Sequence, residues 1–367
     1  VTDRDEFLRA IADRPRDDTP RLAYADWLDE NGRSEQAAFI RTEIDIYRRP
    51  EWDAERIRYI PAPHDPLLSQ VPVHPWADEY RGGVPAKFLL GGLPRIRRGF
   101  PWCFRVTSKS LFLPEADPGG CRQPVERLEF IKPPDLRQLA ASPWLARVAE
   151  IEFETGPYAG TDLTPFLNDP RAGGLEQLAF SYGSLTADGA AAVFGSAVAP
   201  NLTRLHFTYQ NGKVGRAILN GLRTLPTPNR LRGFRLECGG LETHFLRMLA
   251  AQPLPPNLVN LSLSTNRLSA DRVTDLIEGA ALANVRVLDL SGNAIGNAGA
   301  AALAASPHLG ELRVLSLDHC TVGDDGIRAI LDSPLSERLV LLDLTGSPAS
   351  AEMKQHVKDA MGDRVRI

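Results

Sequence analysis

One feature limits what this chain can fold into more than any other: a pattern of apolar residues that returns every 27 positions. Leu258, Leu261, Leu263, Asn266 and Leu268 align with Val285, Leu288, Leu290, Asn293 and Ile295, and these with Leu312, Leu315, Leu317, Cys320 and Val322. The first position recurs at Val148, Leu175, Leu202, Leu231, Leu258, Val285, Leu312 and Leu339, each step 27 residues except one of 29. An irregular segment, "VERLEF" from Val125, stands 23 residues ahead of them, which makes about nine strands. A fixed period of this length marks a stack of repeats, each burying its apolar face against its neighbours.

Within a repeat, the Leu-x-Leu alternation directs one face of a short strand into a core. The residues after the Asn take helical spacing, as at Ile295, Gly299 and Leu303, and the alanines Ala300 to Ala302 let that helix lie close to the strands. A helix is about 10 Å wide and paired strands are about 4.8 Å apart, so helices on one face and strands on the other bend the stack into an arc. The motif resembles the leucine-rich repeat, LxxLxLxxN/CxL, and the 27-residue step resembles its long, ribonuclease-inhibitor-like class. That resemblance implies an α/β leucine-rich-repeat solenoid, a horseshoe with a parallel concave sheet and convex helices. Earlier repeats carry Gly183, Gln210 and Gly239 at the Asn position, which predicts less regular turns there.

A stack of this kind exposes its end strands and needs caps. The repeats are expected over 125–349 and a C-terminal cap over 350–367. In that cap Ser350 begins a helix with Met353, Val357 and Met361 on one stripe, Gly362 ends it, and "RVRI" adds a last strand. At the other end "GFPWCFRV" from Gly99 reads as a capping strand within 99–124.

Residues 1–47 read as three short helices. Thr2 caps the first, with Phe7, Leu8 and Ile11 inward; Thr19 caps the second ahead of Pro20, and Gly32 stops it; Ser34 starts the third, with Ile40, Ile44 and Tyr47 at helical spacing. In the second helix Leu22, Ala25 and Leu28 share a side, adjoined by Tyr24 and Trp27. Asp26 and Glu30 stand at i and i+4 on the polar side, where like charges repel and favour a nearby Arg21 or Arg41, or an outside partner that docks there. The stretch "DEFLRAIADRPRDDTPRLAYADWLDENGRSEQAAFIR", Asp5 to Arg41, resembles the bacterial repeat-companion domain, often found ahead of leucine-rich repeats. "RRGF" from Arg97 is similar to that group's transition into the repeats. The resemblance implies a family without an established biochemical activity and transfers no catalytic residue. Residues 48–98 hold eight prolines, from Pro50 to Pro94, with Trp52 and Trp76, and read as an irregular connector or, alternatively, a Pro/aromatic ligand for a partner domain.

Composition narrows the function classes. A net charge of −4 argues against nucleic acid as partner, and no apolar run approaches the ~20 residues of a membrane span. The first residues, Val1 to Asp5, lack the pattern of a signal peptide. Cys103, Cys121, Cys238 and Cys320 lie far apart without a CxxC pair, which points to a reducing, cytoplasmic setting without disulfides or structural zinc. "LDHCT" sets Asp318, His319 and Cys320 side by side, yet the repeat frame assigns Cys320 to the buried turn position. No metal-ligand spacing, P-loop or nucleophile elbow occurs, so no enzyme, cofactor or metal is expected.

Function is therefore expected on the strand residues that point away from the core. The first full repeat presents Glu150, Glu152 and Glu154, and the strand before it Glu129; the middle repeats present Arg204, His206 and Arg235. The last ones present Val287, Val314 and Leu341, flanked by Asp289, Ser316 and Asp343. Tyr182 and Tyr209 hold equivalent rim positions. A face that is acidic, then basic, then partly apolar predicts a protein–protein interaction scaffold, with Tyr182, Tyr209, Arg204 and Arg235 as preferred contacts. The alternative is an inhibitor or sensor subunit that regulates an effector enzyme.

Overall fold

The computed structural model describes residues 3–59, 95–97, 100–106, 126–130, 134–154, 162–181, 185–208, 210, 212–237, 243–250 and 254–367. It divides into an N-terminal unit, Val1–Thr155 with Asp169–Leu175, and a C-terminal unit, Gly156–Asn168 with Glu176–Ile367.

The N-terminal unit opens with α1 (Asp3–Asp13), α2 (Thr19–Glu30) and α3 (Ser34–Arg48). Their apolar stripes meet in a core of Ile11, Tyr24, Ala25, Leu28, Ala37, Ile40 and Ile44, with Phe7, Leu8, Leu22 and Trp27 partly buried around it. Tyr24 and Trp27 stack at 5.8 Å. Thr2, the expected cap of α1, lies outside the described residues. Thr19 does not cap α2: it is the first helical residue, Asp18 holds the cap position, and the Asp17 carboxylate accepts the Thr19 N–H at 2.9 Å. Gly32 does end α2. Its φ of +74° lets the Gly32 N–H reach the Asp29 carbonyl at 3.1 Å and the Arg33 N–H the Leu28 carbonyl at 2.8 Å, closing the last turn.

Where an irregular connector is expected, Ala54–Tyr59 forms a short helix, α4, begun by the Asp53 carboxylate accepting the N–H groups of Glu55 and Arg56. Residues 60–94, which hold most of the prolines and Trp76, lie outside the described residues. Strand β1 (Arg95–Arg97) runs antiparallel to β2 (Phe100–Val106); β3 (Arg127–Phe130) and β4 (Glu150–Phe153) follow in parallel, with α5 (Leu136–Ala141) between them.

Arginines tie the helices to the segments that flank these strands. Arg21 is fully buried, and its Nη2 meets Glu126 Oε1 at 3.3 Å while Nη1 donates to the Asp17 carbonyl at 3.1 Å. Arg21 therefore turns inward to the strand and away from Asp26. Arg16 donates to the carbonyl of Gly174 at 2.6 Å, and Arg147 donates to that of Ala12.

The C-terminal unit is built from parallel strands β5 (Gln177–Phe180), β6 (Arg204–Phe207), β7 (Gly233–Leu236), β8 (Asn260–Ser262), β9 (Val287–Asp289), β10 (Val314–Ser316), β11 (Leu341–Asp343) and β12 (Val365–Arg366). Each pairs with the next in chain order. The helices are α6 (Thr164–Leu167), α7 (Ala187–Phe194), α8 (Gly212–Arg223), α9 (Thr243–Ala250), α10 (Ala270–Ile277), α11 (Gly296–Ala305), α12 (Asp324–Leu331), α13 (Pro334–Arg338) and α14 (Ala351–Met361). Successive helices from α9 to α12 lie side by side, as the strands do. Leu178, Leu205, Phe234, Leu261, Leu288, Leu315 and Leu342 pair position for position across the sheet, all 1% exposed or less. A non-directional burial term is satisfied by this register and by no other, because a one-residue slip turns every leucine to the opposite face.

In the described turns at Gln210, Asn266, Asn293 and Cys320, the side chain at the Asn position bonds back to the repeat before it. Asn266 donates to the carbonyls of Leu236 (2.6 Å) and Ser264 (3.2 Å), and Asn293 to those of Leu263 (3.0 Å) and Leu290 (2.6 Å). Gln210, expected to loosen its turn, makes the same pair of bonds, to Phe180 at 3.1 Å and Thr208 at 2.9 Å. One extra methylene still reaches both carbonyls. Gly183 and Gly239 lie outside the described residues. At the far end Ser350 Oγ accepts the Met353 N–H at 3.1 Å, Met353, Val357 and Met361 are buried, and β12 pairs with β11.

Candidate binding face of the repeats

Side chains alternate along a strand, so the residues flanking the buried leucines turn to the other, open face of the sheet. In the C-terminal unit the register lines them up in columns. The first holds Gln177, Arg204, Gly233, Asn260, Val287, Val314 and Leu341; the second holds Ala179, His206, Arg235, Ser262, Asp289, Ser316 and Asp343. Thus the structure does bring Val287, Val314 and Leu341 together on adjacent strands, with Val314 and Leu341 each 8% exposed and Val287 half-buried. Arg204 and His206 stand half-buried on β6. Tyr182 and Tyr209 lie outside the described residues.

The second column is joined by hydrogen bonds to the residues two positions on. Arg235 gives Nε and Nη2 to Glu237 Oε1, at 2.8 and 2.5 Å, and Ser264 Oγ donates to the same oxygen at 2.8 Å. Ser262 Oγ donates to Asp289 Oδ2 at 2.7 Å; the Ser291 N–H and hydroxyl donate to Asp289 Oδ1 at 3.0 and 2.6 Å. Ser291 and Ser316 hydroxyls meet at 2.7 Å, and Thr345 gives its N–H and hydroxyl to Asp343 at 3.0 and 2.7 Å. The result is a polar ladder whose carboxylates are held in place by donors, and groups so held lose little freedom on binding. The charge of Arg235 is answered by Glu237, which the expectation of a basic middle zone left out.

In the N-terminal unit, Arg127 stands on β3 among the expected acids. Its guanidinium lies 3.0 Å from Glu129 and 3.5 Å from Glu150, and it also donates to Glu152. Glu129 and Glu150 are buried and Glu152 half-buried, so these carboxylates form an ion cluster with one arginine and are not a bare acidic surface. Arg127 was missed because it lies in the irregular first strand; extending the frame through "VERLEF" sets it opposite Glu150.

On α2, Asp26 pairs with Arg41 at 2.7 Å, one of the two arginines expected there, and Arg41 also holds Asp29 at 2.6 Å. The Arg41 hydrogen bond, then one from Ser34, holds the Asp29 carboxyl below its ordinary range. Glu30 is exposed.

Cys320 and His319 do not form a nucleophile pair. The thiol is buried and donates to the Leu290 carbonyl at 3.1 Å, in the place of the Asn, and burial pushes its pKa up to about 12. The His319 ring is exposed and bonded through Nδ1 to Asp318. Among the described residues no group of three or more His, Cys, Asp or Glu could hold a metal ion, and no helix is long and apolar enough to cross a membrane.

The family model for the leucine rich repeat matches residues 281–304 and 312–331, the segments that carry Val287, Val314 and the Asn293–Cys320 turns. Among solved structures the chain is similar to a Bacteroides fragilis protein, at 16% identity over 60% of this chain and 74% of that one, with a TM-score of 0.43. It is also similar to a chain of the yeast Rad7 and Elc1 complex, at 13% identity over 71% and 77%, TM-score 0.41. An internalin from Listeria monocytogenes matches at 14% identity over 66% and 68%, TM-score 0.38. Comparison with curated proteins finds no match. By its 27-residue step, its in-register leucines and its match to the family model over 281–304 and 312–331, the chain carries leucine-rich repeats.

Proposed function

We propose that this chain is a protein-binding scaffold whose partner lies along the open face of the C-terminal unit. The observation that carries this reading is the pair of columns on β9, β10 and β11: Val287, Val314 and Leu341 side by side, with a polar row held by donors alongside. Apolar side chains beside oriented hydrogen-bonding groups are what a protein interface combines. Arg204, His206 and Arg235 extend the same face, and Tyr182 and Tyr209 are offered as its rim by their place in the repeat frame. Glu150 and Glu152, held by Arg127, are offered as the corresponding contacts in the N-terminal unit.

The three N-terminal helices serve this reading as a cap, because Arg21, Arg16 and Arg147 bond them to the turns that flank the strands of their own unit. Their resemblance to the bacterial repeat-companion domain, and the wide spacing of the cysteines, support a bacterial and cytoplasmic setting. Asp26 and Glu30 remain candidates for a second docking point on α2.

The test is site-specific photo-crosslinking in the native host. A benzophenone amino acid is placed at Val287, at Asn260 and, as control, at Ala298 on the exposed side of α11. The expected result is one shared protein adduct from Val287 and Asn260 that is missing from Ala298. Adducts of equal yield at all three positions, or from Ala298 alone, overturn the proposal.

A further inference from the structure

Strands β9 to β11 combine two properties that together specify a partner chemistry. Each contributes an apolar residue to the first column, Val287, Val314 or Leu341, and each carries a carboxylate at or just past its end, Asp289, Asp318 or Asp343. All three carboxylates are half-buried. Asp289 is bonded only to hydroxyls and an N–H, and among the described residues no cation answers it. Asp318 meets the neighbouring His319, and Asp343 has Arg366 at 3.9 Å. Hydroxyl and amide donors orient the Asp289 carboxylate without cancelling its charge, and Arg366 answers one carboxylate of the three, so the strip keeps a net negative charge beside an apolar row.

Spacing adds a second constraint. Rows on paired strands recur about every 4.8 Å, and an α-helix laid across the strands presents one face every 5.4 Å, roughly. Over three rows the two differ by only about 1 Å, which side-chain freedom absorbs.

We propose that the occupant of β9 to β11 is a basic amphipathic helix of a partner protein. Its apolar i, i+4, i+7 side chains pack on Val287, Val314 and Leu341, and its lysines or arginines on one flank meet Asp289, Asp318 and Asp343. This inference rests on the open-face reading above and adds to it the sign of the partner's charge and its secondary structure. Complementary charge of this kind selects partners and speeds encounter.

The probe is a displayed library of random 14-residue peptides, panned on the full chain. Clones are retained only if Val287→Thr/Val314→Thr/Leu341→Thr abolishes their binding, in a variant whose melting temperature shows it folded. The expected sequences carry apolar residues at helical spacing with Lys or Arg on one flank. A synthetic copy should lose affinity about tenfold in Asp289→Asn/Asp318→Asn/Asp343→Asn, and that loss should shrink at about 0.5 M salt. Face-dependent clones that are acidic or neutral overturn the charge assignment and leave the open-face reading standing. Clones with a two-residue period overturn the helix. If no clone depends on the face, both readings fall.

Discussion

Thr265, Gly292, His319 and Gly346 stand 27 residues apart in the turn that follows the strand, and all four have left-handed φ, between +51° and +70°. A Cβ at Gly346 would lie 2.8 Å from the His319 ring, so the glycine there answers both the backbone conformation and the neighbour's side chain. Cys320, one residue past His319, shows the same dependence of one repeat on the next. Its thiol makes one good bond, to Leu290, where Asn293 makes two and accepts the N–H groups of Asn266 and Leu268 as well. Cys320→Asn should therefore raise stability by about 1 kcal/mol in urea unfolding. The pH dependence separates this from a packing effect. Burial raises the thiol from 9.0 to about 12, so the unfolded chain ionises it first and stability falls as pH rises above 9.0. The wild type should lose stability relative to Cys320→Asn by up to about 1.4 kcal/mol per pH unit in that range. Parallel curves for the two proteins would show the thiol has no such role.

Elements are held to their neighbours by caps that cross from one repeat to the next. The Asn297 side-chain Oδ1 accepts the Gly323 N–H at 2.7 Å ahead of α12, and Asp324 accepts both the N–H and the hydroxyl of Ser350, at 2.8 and 2.7 Å, ahead of α14. The Ser350 hydroxyl bond first, then its N–H bond, lowers the Asp324 carboxyl below 3.8. A lowered carboxyl favours the folded state above its unfolded pKa and loses that contribution as pH falls through the folded value. Amide exchange in the first turn of α14 should accordingly speed up as pH drops below 3.8, after correction for the intrinsic rate. Asp324→Asn should remove most of this dependence, and an unchanged profile would count against the cap. Helix position was legible from Ser350 and the Met353, Val357 and Met361 stripe; the tie to Asp324, 26 residues earlier, was not.

For the molecule as a whole, the two units raise the question of which strands depend on the N-terminal helices. Arg21 and Glu126 are buried and paired in the N-terminal unit, and removing one partner takes the ion pair from the other in a poorly solvated site. Loss of one member of a buried pair costs about 3–5 kcal/mol. In a stack where each repeat leans on its neighbours, that loss is felt locally. Arg21→Met should therefore reduce amide protection in β3 and β4 by hydrogen exchange while β9 to β11 keep theirs. Uniform loss along the chain, or none, would show that the helices are not the cap of their own unit.

The sequence by itself determined the period, the strand frame and the choice of face, because apolar burial is non-directional and a 27-residue pattern of leucines satisfies it in one register only. It also marked the column of Val287, Val314 and Leu341, which follows from that frame without further information. Tertiary structure alone decided the polar pairings: Arg127 among Glu129, Glu150 and Glu152, Arg235 on Glu237, Ser262 and Ser291 on Asp289, and Arg21 on Glu126. Hydrogen bonds and ion pairs are directional and short, so residue type and spacing name the candidates, while only the positions of neighbouring side chains select the partner.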